Sequence, residues 1–119
     1  ARTTPAVLDA LREQQALVPS LWALEASNVI ARAEAKGLLT EARSQAFVVL
    51  LQRLNIATDP ATAAHALGDT LHLARRHKLS AYDAAYLELA LRTGLPLATL
   101  DADLKKAAQA AGVEPFAPN

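Results

Sequence analysis

Apolar positions recur every three to four residues over most of the chain, the spacing that lines one face of a helix. Residues 5–15 carry Val7, Leu8 and Leu11 on such a face, with Thr3 or Thr4 as cap and Pro5 in the first turn. Ser20 is placed to cap a helix over 21–36 that stops at Gly37. Thr40 opens the next, to about Leu54, with Phe47, Leu50, Leu51 and Leu54 inward. Asp59 and Pro60 start a helix running to His77, with Ala64, Leu67, Leu71 and Ala74 as its apolar positions. Residues 79–94 read as a helix capped by Ser80 and ended by Gly94; a last one opens at Asp101 and closes at Gly112. Short extended runs lie between them at 16–20, 55–59, 95–100 and 113–116, and LPLATL at 95–100 is the clearest strand. Short strands alternating with helices predict an α/β sandwich around a parallel sheet. The 119 residues suit one domain, 1–119.

Composition narrows the function classes. Formal net charge is zero, so bulk charge carries no nucleic-acid or membrane signal, and an anionic partner would meet a local patch. Arg75, Arg76, His77 and Lys78 form the only basic run, suited to a helix C-terminus or to phosphate contact. There is no cysteine, which removes disulfides and zinc–thiolate sites and is compatible with a cytoplasmic protein. No apolar run approaches the ~20 residues of a membrane span.

The acids carry the chemistry. On the 79–94 helix, Glu88 and Arg92 mark the expected solvent face, and Asp83 points the other way, in line with Leu87 and Ala90 and beside Tyr86. A carboxylate there must be neutralised, paired or bound to a cation, and no Lys or Arg lies on that stripe. Ser80-Ala-Tyr-Asp83 also fits a capping box, which satisfies the carboxylate without metal. Asp101 is both an N-cap and an acid directly after a strand; Asp103 is in the first turn beyond it. Glu25 follows the 16–20 run by one turn, with Asn28 on the same side, and both also read as surface residues. In a parallel sheet, ligands gather at the carboxyl ends of strands. Three acids converging there offer the hard oxygen ligands that Mg²⁺ or Mn²⁺ takes, able to activate water and stabilise a leaving oxygen. His65, His72 and His77 lack HxxxH spacing and an acid placed to orient them, so they read as surface or partly packed residues.

The stretches LVPSLWALEASNVI and LSAYDAAYLELALRTGLPLATLDADLKKAAQAAGV, with the order of elements between them, resemble the PIN-domain ribonucleases, most closely the VapC toxins of bacterial toxin–antitoxin pairs. The resemblance implies a PIN-like α/β/α sandwich with a parallel sheet and an acidic site that binds Mg²⁺ or Mn²⁺ and cleaves RNA. Glu25 matches the glutamate of the LExxN motif and Asn28 its asparagine. Asp83 matches the aspartate of YDA, Asp101 the aspartate after the TL strand, and Thr99 its polar partner. Asp103 has no counterpart in the pattern and is a supporting candidate by position only. The family opens with a strand ending in an aspartate, VLDxS; no residue here matches it, Asp9 sits inside a predicted helix, and an upstream strand is expected. The resemblance further implies a homodimer and a VapB-like antitoxin, with the 21–54 helix pair, carrying Leu38 and Leu39, as an expected partner surface.

Three readings stay open at this stage: a metal-dependent endoribonuclease toxin, a non-catalytic PIN-like binding or assembly module, and a helical domain whose acids are caps.

Overall fold

The computed structural model describes residues 14–116. The helix expected over 5–15, with Asp9 inside it, falls almost wholly outside them, and Gln14 and Gln15 are not helical.

The chain enters at strand β1, Ala16–Val18, which pairs in parallel with β2, Ile56–Thr58, in the register Ala16 to Ile56, Leu17 to Ala57 and Val18 to Thr58. The Ala16 N–H donates to the Asn55 carbonyl at 2.8 Å and the Asp59 N–H to the Val18 carbonyl at 2.7 Å, so the ladder continues past both ends. A parallel pair needs a crossover. Helices α1, Trp22–Ala35, and α2, Glu41–Arg53, supply it. Thr40 caps α2 as expected, its Oγ1 accepting from the Arg43 N–H at 3.2 Å. Ser20 does not cap α1: the position before that helix is Leu21, without a side-chain cap, and the Ser20 N–H donates instead to Thr62 Oγ1 at 3.0 Å. That bond ties the exit of β1 to the exit of β2.

The helix expected from Asp59 to His77 is interrupted. It runs as α3, Thr62–His65, a π-helical turn, Ala66–Thr70, and α4, Leu71–His77. The wider turn throws Leu67 off the apolar face, and it is 89% exposed. Ser80 caps α5, Ala81–Thr93, its Oγ accepting from the Asp83 N–H at 3.1 Å. Gly94 ends it in the left-handed region at φ 72°, which glycine adopts without penalty. Helix α6, Ala102–Ala110, begins at Asp101, whose Oδ2 accepts from the Leu104 N–H at 2.9 Å.

The 95–100 and 113–116 runs meet as a single parallel bridge between Leu97 and Pro115. Leu97 donates to the Glu114 carbonyl at 2.9 Å, and the Phe116 N–H returns to the Leu97 carbonyl at 3.0 Å. The parallel direction is as expected, but the strand is far shorter. Pro96 and Pro115 carry no N–H, so neither can donate to a further strand on the opposite side of this pairing.

The core lies between α5 and α6. Leu87, Ala90, Leu104, Ala107, Ala108 and Val113 form it, with Leu73, Leu79, Tyr86 and Leu97 packed against it. By contrast α1 has no buried residue, and Ser44 is the one buried side chain of α2. Phe47 and Leu50, expected inward, are 40% and 51% exposed, because no described element covers that face of α2. Among the described residues no helix is long and apolar enough to cross a membrane.

Candidate functional site

Two groups of acids stand apart in how their charge is held. The first is built around Arg92. Helical spacing of four sets Glu88 under Arg92, and Arg92 Nε and Nη2 donate to the two Glu88 carboxylate oxygens at 2.8 and 3.0 Å. The same guanidinium reaches across to Asp59 just after β2, donating to both carboxylate oxygens, with Nη1 to Oδ1 at 3.2 Å. Asp59 also accepts from the Ala61 N–H at 3.1 Å and from the Thr62 hydroxyl at 2.9 Å. Donation from Arg92 holds the Asp59 carboxyl down at about pKa 2, outweighing the opposite push of burial. The two carboxylates together hold the Arg92 guanidinium protonated well above its ordinary range, Glu88 contributing most.

The expectation of a solvent face at Glu88 and Arg92 holds for Arg92, which is exposed, and is corrected for Glu88. Glu88 is 5% exposed, buried as one arm of a two-carboxylate clamp. The four-residue spacing of Glu88 and Arg92 is legible in sequence; Asp59, 33 residues away, is not. His65 adjoins the group, its Nδ1 3.5 Å from Asp69 and 3.9 Å from Glu88, so acids do lie near a histidine expected to stand without one. Among the described residues, His65, Asp69 and Glu88 are the one set of histidine and acid side chains with ligand atoms within 4.8 Å of one another. This acidic cluster does not include Glu25, Asp83 or Asp101. A cation seated there would compete with Arg92 for Glu88, both of whose oxygens the guanidinium already engages.

The second group sits at element starts. Glu25, in the first turn of α1, is partly buried, and its Oε1 accepts from the Tyr86 hydroxyl at 2.7 Å. Tyr86 is one turn beyond Asp83 on α5, on the same side of that helix. The bond thus brings the segment after β1 to the helix of Asp83. Asp83 is partly buried in the first turn of α5. Asp101 caps α6 through Oδ2, and its own N–H donates to Thr99 Oγ1 at 3.1 Å. Asp103 is exposed in the first turn of α6, and Asn28 is exposed on α1. Among the described residues Glu25 Oε2 and Asp101 Oδ1 accept no hydrogen bond, and neither residue forms an ion pair.

A shallow cleft runs beside Tyr86, lined also by Leu17 of β1, Leu89 and Ala90 of α5, and Leu97 of the parallel bridge. Its walls come from both parallel pairings. The bond that sequence reasoning missed is the Tyr86 hydroxyl to Glu25; the available signal was a tyrosine three residues after the candidate aspartate.

No curated protein matches the chain. Residues 2–110 match the family model described as PIN domain, a family whose members are usually metal-dependent nucleases. With short parallel pairings, helical crossovers and a match over nearly the whole of its length, the chain belongs to the PIN domain family.

Proposed function

We propose that the protein is a metal-dependent endoribonuclease of the VapC toxin type, in which Glu25, Asp83 and Asp101 attend one Mg²⁺ or Mn²⁺ ion within a single PIN-like domain spanning 1–119. The observation that carries this reading is the Tyr86–Glu25 hydrogen bond, which joins two of the three acid-bearing elements one turn from Asp83. Chain length supports the third. Six extended residues, 95–100, span roughly 20 Å. Between Asp83 and Thr93 α5 rises about 15 Å. The run after α5 therefore has the reach to return Asp101 to the end where Asp83 sits.

The donor set suits the ion. Carboxylate oxygens are hard ligands, the chain has no thiol to favour a softer metal, and Glu25 and Asp101 each keep an oxygen unused by the fold. When bound, the divalent ion supplies Lewis acidity to the phosphodiester and makes water more acidic. The residues themselves bind and orient. Asp101 is held by its cap, Thr99 fixes the backbone before it, and Glu25 is held by Tyr86. Asn28 and Asp103 are supporting positions beside Glu25 and Asp101. Arg75, Arg76 and Lys78, exposed just before α5, offer phosphate contacts. Single-stranded or loop RNA is the substrate class, since such segments can be splayed into a site. A VapB-like antitoxin and a second copy of the chain are the expected partners, and Leu24, Leu38, Phe47 and Leu50, exposed on and beside α1 and α2, support a contact surface there. That face also favours a second reading, a non-catalytic PIN-like binding module.

Cleavage of labelled RNA by the full-length protein in millimolar Mn²⁺ separates the two. Asp83→Asn and Asp101→Asn should abolish cleavage while circular dichroism stays unchanged. If Mn²⁺ neither raises the melting temperature nor supports cleavage, the enzyme reading is lost and the binding module stands.

A further inference from the structure

We infer that Tyr86 is a positioning residue for the metal site, acting through Glu25: its hydroxyl holds one carboxylate oxygen so that the other faces the cation. The inference rests on the reading of Glu25 as a metal ligand. Glutamate is a flexible ligand, and Glu25 stands on a helix with no buried residue, so α1 itself gives its side chain little anchorage. Tyrosine is the opposite. Its ring turns about two bonds only, and here it packs against the Leu87–Leu104 core and lines the cleft between β1 and the Leu97 bridge. A fixed ring thus carries a donor to a mobile acceptor. At 2.7 Å the O–H to carboxylate bond is short enough to be charge-assisted. Among the described residues it is also the one side-chain hydrogen bond from α1 to another element.

The geometry leaves Oε2 as the oxygen to meet a cation, while Oε1 is engaged by the phenol. Such a partner orients a ligand and raises the affinity of the site without touching the ion. Removing one typically costs about 10- to 100-fold in metal affinity. Tyr86 also comes one turn after Asp83, so the same helix carries one acid and the group that orients another.

The test is a double-mutant cycle on Mn²⁺ affinity, read from free Mn²⁺ by electron paramagnetic resonance in the full-length protein without RNA. Tyr86→Phe keeps the ring and its packing and removes only the hydroxyl. It should weaken Mn²⁺ binding about tenfold or more, with the metal-free melting temperature nearly unchanged. In a Glu25→Ala background the same substitution should change Mn²⁺ affinity less than twofold, because no carboxylate remains to be held. If Glu25→Ala weakens binding but Tyr86→Phe does not, the positioning role is overturned and the metal reading survives. Additive losses in the double variant place the effect of Tyr86 in the fold and overturn it as well, even where Tyr86→Phe lowers stability. If Glu25→Ala leaves affinity unchanged, or the unsubstituted protein binds no Mn²⁺, the reading of Glu25 as a ligand falls and the inference falls with it.

Discussion

Asp59 and Asp101 have much in common: each follows an extended run, each accepts backbone N–H groups at the start of a helical segment, and each has a threonine hydroxyl nearby. They differ in one partner. Asp59 meets the guanidinium of Arg92, which it shares with Glu88, and its charge is balanced inside the protein. Asp101 meets only dipoles among the described residues, and its charge is left for something else to balance. Position at the end of a strand therefore does not make an acid a ligand. The decisive feature is whether the fold has already supplied the countercharge.

That contrast can be broken most forcefully at Arg92. Replacing it with alanine leaves Asp59 and Glu88 buried without their cation, and the loss of one partner of a buried pair typically costs about 3–5 kcal/mol. Urea unfolding of Arg92→Ala should show a loss of that order; a loss near zero would make the clamp incidental. Acid sharpens the comparison next. Asp59 titrates at about 2 in the folded state against 3.8 for the free group, so it binds its proton later than in the unfolded chain. The stability it contributes is present above pH 3.8 and drains away as pH falls through about 2. Melting temperatures followed from pH 5 to pH 2 should fall steeply over the lower part of that range, and the slope should flatten in Arg92→Ala. The smallest effect belongs to Asp101. Asp101→Ala removes an N-cap and should cost about 1 kcal/mol in metal-free protein. Asp101→Asn, which caps as well, should melt close to the unsubstituted chain. A loss for Asp101→Ala as large as that at Arg92 would erase the distinction between the two acids.

Much of the fold was legible because it is local. Thr40, Ser80 and Asp101 bond the amides three residues on, and the left-handed glycines at 37, 94 and 112 close helices where a left-handed residue was needed. The parallel sense of the pairings followed from helices alternating with short runs. What escaped was set by distant partners. Glu88 looks like a surface residue until Asp59 and Arg92 are seen to close over it, and nothing within a helical window predicts that. The inward face assigned to α2 failed because periodicity reports amphipathicity, not the presence of a neighbour to cover it. Ser20 had the right chemistry for a cap, yet its amide was claimed by Thr62, 42 residues later. Of the proposed site, Glu25, Asp83 and Asp101 were visible as acids at element starts, but the phenol that meets Glu25 was not, because its bond joins residues 61 apart.

The π-helical turn at Ala66–Thr70 has a consequence for how this chain tolerates change in length. An i to i+5 closure holds one residue more than an ordinary turn, and each residue of an α-helix advances the face by about 100°. Removing Gly68 would let the two flanking helices fuse into one regular rod. The faces on either side would keep their phase, because the five-residue turn covers nearly the same rotation as four residues of α-helix. Kept within a regular helix, the extra residue would instead turn Thr62 and His65 about 100° out of phase with Leu73. The bulge is thus a phase adjuster, a spacer that allows one end of the rod to serve the strand exits and the other to serve the hydrophobic interior.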